Sequence, residues 1–249
     1  MMRRSFVVGM GEVGRRLAAA LEAAGVAVTP VTRDRGWEEL RADSSSPVLL
    51  AVREEALGEV LGRLADSTPS RLVLVQNGWL HPLLDGFPGC SRGLIWFTAK
   101  GDFFCELRPS LFAGSLAAPL ADRLRSGGLA AQVLPPGGFA AAEVEKMGFN
   151  CVVGLPLAVH GLSLGAYLET REAEARAVFA EAVQVLGRAA GVEPDPGWWP
   201  AVRRAVAPIG WVRSSAAKAL EFRNGAVVRV ATELGMAAPV NASLLARAG

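Results

Sequence analysis

Six residues near the amino terminus, Gly9-Met10-Gly11-Glu12-Val13-Gly14, restrict what this chain can fold into more than any other feature. An apolar, β-branched run precedes them at residues 5–8, and residues 11–25 carry a helical pattern that ends at glycine. Residues 26–32, interrupted by Pro30, then have strand composition. A strand, a Gly-rich turn, a helix and a second strand make one βαβ unit, which closes parallel and right-handed. Each glycine has a physical reason in that setting. Gly9 permits the tight turn, Gly11 lets the backbone approach a pyrophosphate, and Gly14 lets the helix lie close to the strand. Unpaired N–H groups at the helix start, with their partial positive charge, then receive the anion. Without the flanking strands the six residues would be only a ligand-free turn; the full βαβ setting favours a dinucleotide.

The alternation continues. Apolar runs at 47–52, 71–76, 93–97, 103–112 and 131–134 read as strands, with an amphipathic helix at 54–66. Strands alternating with helices imply a parallel sheet covered on both faces. From residue 140 the pattern is helical, at 140–168, 172–190, 211–220 and 224–234. Gly191 suits a left-handed cap, and the loop 193–197 is too rich in proline to continue a helix. The expected fold is therefore α/β: a Rossmann-type parallel-sheet domain at 1–138, followed by an all-helical domain at 139–249 for substrate binding and dimerisation. Pro135-Pro136-Gly137-Gly138 is the expected junction.

Composition removes other classes. The 26 basic and 24 acidic side chains leave a net charge of +2, without the excess that nucleic-acid binding needs. Cys90, Cys105 and Cys151 show no metal-ligand spacing and are odd in number, which points to a reducing cytoplasm. His81 and His160 are the only histidines, His160 reads as a satisfied core residue, and no metal site is expected. Residues 147–168 carry no charge and are long enough to cross a bilayer, but Asn150, Pro156, His160 and Ser163 interrupt them. A buried helix, not a membrane span, is the expectation. Trp198-Trp199-Pro200 suits either core packing or a homodimer contact through the helical domain.

Two local patterns carry chemistry. After the second strand come Thr32-Arg33-Asp34-Arg35. Guanidinium groups suit a ribose 2′-phosphate and Thr32 adds a hydroxyl, so NADP(H) is favoured, while Asp34 keeps NAD(H) open. Further along, Lys146 stands four residues before Asn150 and shares its helix face. Hydride addition to a ketone builds negative charge on oxygen, which a nearby ammonium can stabilise and then protonate. A solvent-facing lysine at a helix start is the alternative.

Four blocks, in order, resemble the ketopantoate reductases (2-dehydropantoate 2-reductases): residues 7–14; Val75-Gln76-Asn77-Gly78; Lys146-Met147-Gly148-Phe149-Asn150-Cys151; and Ser214-Ser215 leading to Asn224-Gly225 and then to residues 233–241. The resemblance implies a Rossmann domain with a helical domain, NADPH as hydride donor, and an active site in the cleft between them. It makes Lys146 the general acid. Asn77 would contact the nicotinamide end of the cofactor and the substrate, Asn150 would hydrogen-bond the substrate, and Ser215 would bind its carboxylate. Arg33 matches the arginine of the 2′-phosphate, and Arg53 falls where a lysine approaches the same phosphate.

The chain departs from the family in three places. Gly154 replaces a second substrate asparagine, and the Rossmann domain is trimmed between Arg35 and Pro47. The stretch before Asn224 is shortened, leaving Ala219 at the position of a substrate glutamate. Glu221 would substitute if the shorter loop turns it inward and is otherwise a surface acid. The leading expectation is an NADPH-dependent reductase of a small 2-oxo acid, ketopantoate-like, in pantothenate biosynthesis. The alternatives are a non-catalytic NADP(H)-binding sensor or scaffold, and a reductase of another carbonyl or imine.

Overall fold

A computed structural model describes residues 2–84, 86–214 and 219–248, and the chain divides into two units. The first comprises Met1–Gln76 and Leu80–Phe139; the second comprises Asn77–Trp79 and Ala140–Gly249.

In the first unit the alternation gives β1 (Arg4–Val8), α1 (Glu12–Ala23), β2 (Ala27–Val31), α2 (Trp37–Ala42), β3 (Val48–Leu50), α3 (Glu54–Arg63) and β4 (Leu72–Leu74). The chain goes on through α4 (His81–Leu84), β5 (Ser91–Leu94), β6 (Phe97–Lys100), β7 (Phe103–Glu106), β8 (Ser110–Ala113), α5 (Ala117–Ser126) and β9 (Ala131–Val133). Seven strands form one sheet in the order β2-β1-β3-β4-β5-β8-β9, and β6 and β7 pair as a separate hairpin. All pairs in the large sheet are parallel except β5 with β8. The antiparallel pair is the one exception in a sheet that is otherwise parallel, as expected. A hairpin between β5 and β8 lets β8 return beside β5 without the helical crossover a parallel return needs. Pro30 sits within β2 because β2 is an edge strand, so the missing N–H faces no partner. Strand order reverses at β1 and β3, and open α/β sheets bind ligands outside the carboxyl ends of the strands at such a point.

The second unit is helical. Its elements are α6 (Pro136–Val152), which begins in the first unit, then α7 (Leu155–His160), α8 (Leu164–Thr170), α9 (Glu172–Ala190), α10 (Trp198–Val206), α11 (Asn224–Glu233) and α12 (Pro239–Ala246). Pro136 opens α6 instead of lying in a linker, since a first-turn proline forfeits no intrahelical bond. The helix expected over 140–168 is three helices. The ring of Pro156 would meet the carbonyl of Val152, so α6 stops before Gly154; Gly161, at φ +65°, ends α7. No described helix is long and apolar enough to cross a membrane. The helix expected over 211–220 is absent among its described residues, which form turns, an isolated bridge and the start of a 3-10 turn, Leu220–Phe222.

Buried polar groups tie this unit together. Asn224 donates to Asn241 Oδ1 (2.8 Å) and to the carbonyl of Cys151 (3.2 Å). Glu181, on α9, accepts from the N–H groups of Val240 and Asn241 and from the Asn241 amide, so its carboxylate caps α12. Asn241→Leu strands both neighbours. We expect a loss of about 2–4 kcal/mol of stability, read by urea denaturation. The His160 side chain is 4% exposed, 2.6 Å from Glu174 and stacked on Tyr167, whose hydroxyl also donates to Glu174. Burial, then the Glu174 charge, raise the Tyr167 pKa well above the phenolic range. Trp199 packs on Phe179, with ring centroids 5.4 Å apart.

Candidate active site

The Gly-rich turn is shaped by close approach. Gly9 has φ +94°, and a Cβ there would lie 2.9 Å from the Ala51 carbonyl and from Val52 Cγ1, just past the end of β3. A Cβ on Gly14 would lie 1.9 Å from the Gly9 carbonyl oxygen. Gly11, the N-cap of α1, is different: nothing stands within 4 Å of its Cβ position. One glycine allows the turn, one allows the helix to press on it, and one leaves open space. Beside them α1 offers the unpaired N–H groups of its first turn, including those of Glu12 and Val13; Glu12 itself pairs with Arg15 at 3.1 Å.

A groove of about 610 Å³ opens at this turn, within the usual size of a ligand pocket. Gly9, Met10 and Gly11 form one wall; Thr32 and Arg33 follow β2, and Arg53 follows β3. Arg33, Asp34, Arg35 and Arg53 are exposed. Trp37 Nε1 donates to the Thr32 carbonyl at 2.7 Å and fixes the turn that carries Arg33. Arg63 lies 5.1 Å from the centre of the Trp37 ring and pairs with Glu59 at 2.8 Å. Sequence reasoning missed Trp37 and Arg63. The only signal was the four-residue spacing of Glu59 and Arg63, which any exposed helix carries.

In the second unit, Lys146 and Asn150 lie one turn apart on α6 and are only 4% and 3% exposed. The solvent-facing alternative for Lys146 is thereby excluded. Gly148 between them allows α6 to press on α9, where a Cβ would meet the Phe179 ring at 2.6 Å. The Lys146 ammonium stands 4.3 Å from the centre of the Phe149 ring, on the face where a cation is attracted. Asn150 donates its amide to the Asn77 carbonyl, and Trp79 N–H donates to the Phe222 carbonyl at 2.7 Å. Lys146, Asn150 and the 77–79 segment are thus one assembly. Cys151, on the same helix, is fully buried; burial pushes its thiol up to about 12, against the nearby Arg223 charge.

No family model and no curated protein matches the chain. Solved structures do. A ketopantoate reductase of the PanE/ApbA family from Ralstonia eutropha JMP134 superposes with a TM-score of 0.78 at 19% identity, over 98% of this chain and 96% of that one. A dimeric ketopantoate reductase from Staphylococcus aureus superposes at 0.72 and 16% identity, over 98% of each chain. A D-mandelate dehydrogenase with NADH and anilino(oxo)acetate reaches 0.80 at 15% identity, over 98% and 96%. The chain has the ketopantoate reductase fold.

Within the ketopantoate reductase fold, the expected residues fall into two groups. Residues 9–11, Thr32, Arg33 and Arg53 share the groove of the first unit; Asn77, Lys146 and Asn150 share the second. Ser215 lies outside the described residues. Glu221 is exposed, and its carbonyl accepts from Arg229 at 3.1 Å. Ala219 is buried at φ +52°, a conformation costly for a residue with a Cβ. Among the described residues, no group of three or more His, Cys, Asp or Glu is placed to hold a metal ion.

Proposed function

We propose that the protein is an NADPH-dependent reductase of a small 2-oxo acid, with Lys146 as general acid. One observation carries the reading: a lysine buried beside an asparagine that is itself tethered to the 77–79 segment. The open space at Gly11, next to the first turn of α1, fits a pyrophosphate, and Arg33 and Arg53 fit a 2′-phosphate. A bound reduced nicotinamide supplies a hydride to the C2 carbonyl, leaving oxidised cofactor and a 2-hydroxy acid once a proton is added. Lys146 holds that proton at Nζ and delivers it to the developing alkoxide. Asn150, held by the Asn77 carbonyl, orients the substrate; Ser215 is assigned to its carboxylate on resemblance alone. The homodimer and the cytoplasmic setting belong to this same proposal.

The test is NADPH oxidation with a panel of 2-oxo acids, ketopantoate included. Turnover supports the reading; tight NADPH binding without turnover supports the sensor alternative, which Gly154 and Ala219 favour by their lack of polar side chains. Arg33→Ala separates the cofactors. Losing a charge-assisted contact to phosphate costs about 1.5–3 kcal/mol, so NADPH affinity should fall roughly 10- to 100-fold while NADH affinity holds, measured by fluorescence titration. Equal losses for both cofactors would remove the 2′-phosphate assignment.

A further inference from the structure

The Gly-rich turn follows the carboxyl end of β1, and β3 and β4 run parallel to it. A second cavity, of about 250 Å³, lies at the opposite, amino ends of β3 and β4. Arg71 forms part of its wall and is only 7% exposed. The chain fixes that side chain firmly. A 3-10 turn, Pro69–Arg71, delivers it directly ahead of β4, with the Arg71 N–H donating to the Thr68 carbonyl at 3.0 Å. Its Nε donates to the Ser46 carbonyl, ahead of β3, at 2.9 Å. That partner carries no charge. Nη2 is buried and makes no hydrogen bond among the described residues. Asp43, the acid that acts on Arg71, is engaged elsewhere: its oxygens accept from Ser45 and Ser46, and Arg4 stands 3.7 Å away. Burial therefore pulls the Arg71 pKa down, against the Asp43 charge. A buried cation without a close countercharge is costly to keep.

The rest of the wall indicates which countercharge fits. Arg41, at the end of α2, is exposed and makes no ion pair among the described residues. Ser44, Ser67 and Thr68 add three hydroxyls, from the loops before β3 and β4. Arg63 borders this cavity and the groove at the Gly-rich turn alike, but its guanidinium is held by Glu59 and Trp37. Asp66, exposed, is the one acid in the lining and opposes an anion. Guanidinium and hydroxyl donors brought in from separate segments suit a tetrahedral oxyanion better than a flat carboxylate. The small volume excludes a whole dinucleotide. We propose that this cavity binds a phosphate group, free or as a small monoester, with Arg71 and Arg41 supplying the charge and the three hydroxyls the remaining donors. The site is additional to the cofactor groove and does not rest on the oxo-acid reading.

The test titrates the full chain with inorganic phosphate, glycerol 3-phosphate and acetate at constant ionic strength, by isothermal calorimetry with thermal melting beside it. Inorganic phosphate should bind saturably and raise the melting temperature, and acetate should do neither. Glycerol 3-phosphate binding more tightly than inorganic phosphate assigns the site to a monoester; the reverse assigns it to the free ion. Arg71→Gln should weaken phosphate binding roughly 10-fold or more, and the exposed Arg41→Gln about 3- to 10-fold. Asp66→Asn removes the opposing charge and should tighten binding by about 2- to 5-fold, an effect that a merely structural role would not produce. Arg41 and Asp66 are surface positions, so the test stands if Arg71→Gln does not fold. Arg33→Ala, in the other cavity, should leave phosphate binding here unchanged. Absence of saturable binding, an equal response to acetate, or binding lost with Arg33→Ala but kept with Arg41→Gln would overturn the proposal.

Discussion

Replacing Lys146 by methionine should lower kcat on a 2-oxo acid by about three orders of magnitude, within the range a positioned general acid contributes. Methionine keeps the length and apolar stem of the side chain, so packing against Phe149 survives and only the ammonium is lost. NADPH affinity should stay within a few-fold of wild type, because the groove at Gly9–Gly11 belongs to the other unit. Alanine removes the stem as well and leaves a void at a position only 4% exposed, so Lys146→Ala should lose stability in addition to activity. The methionine variant separates chemistry from packing. Steady-state kinetics with cofactor titration checks both, and a variant retaining more than a tenth of wild-type kcat would remove Lys146 from the chemistry.

Gly11→Ala and Gly14→Ala should fail in different ways, although both lie in one short turn. A Cβ on Gly14 has the Gly9 carbonyl oxygen 1.9 Å away, and no flexible side chain is there to yield. The turn must move. We expect a stability loss of about 2–3 kcal/mol, with NADPH affinity falling more than about 100-fold as the first-turn N–H groups shift. A Cβ on Gly11 meets nothing within 4 Å, and its backbone at φ −73° suits any residue. Stability should stay within about 0.5 kcal/mol of wild type. Affinity should still fall by roughly 10-fold or more, since the methyl group occupies the approach of the pyrophosphate. Chemical denaturation and fluorescence titration on the two variants decide the matter. If Gly11→Ala binds NADPH as wild type does, the pyrophosphate does not pass over that residue.

What could be read in advance depended on how local its cause was. The β1–turn–α1–β2 unit was legible because its glycines and apolar runs fall within one stretch of chain. Gly191, at φ +66°, ends α9 where a left-handed cap was expected, because that geometry needs only the residue itself. The antiparallel β5–β8 pair was not legible, since strand direction depends on where the chain returns. The breaks at Gly154 and Gly161 were hidden within an uncharged run, although Pro156 carried the steric reason for the first. In the candidate site, the shared face of Lys146 and Asn150 follows from helix periodicity. The tether from Asn150 to the Asn77 carbonyl does not: no spacing relates two residues so distant in sequence, and the approach depends on how α6 and the 77–79 segment pack. Trp37 and Arg63 were missed for the same reason, since they meet across two helices.

The central claim is hydride transfer to an oxo-acid carbon completed by a proton from Lys146. The direct measurement uses NADPH deuterated at nicotinamide C4, a 2-oxo acid substrate and mass spectrometry of the product. Deuterium at C2 of a 2-hydroxy acid, formed by wild type and nearly absent with Lys146→Met, is the expected result. Bound NADPH with no labelled hydroxy acid from any substrate of the panel, or undiminished labelling by Lys146→Met, would contradict it.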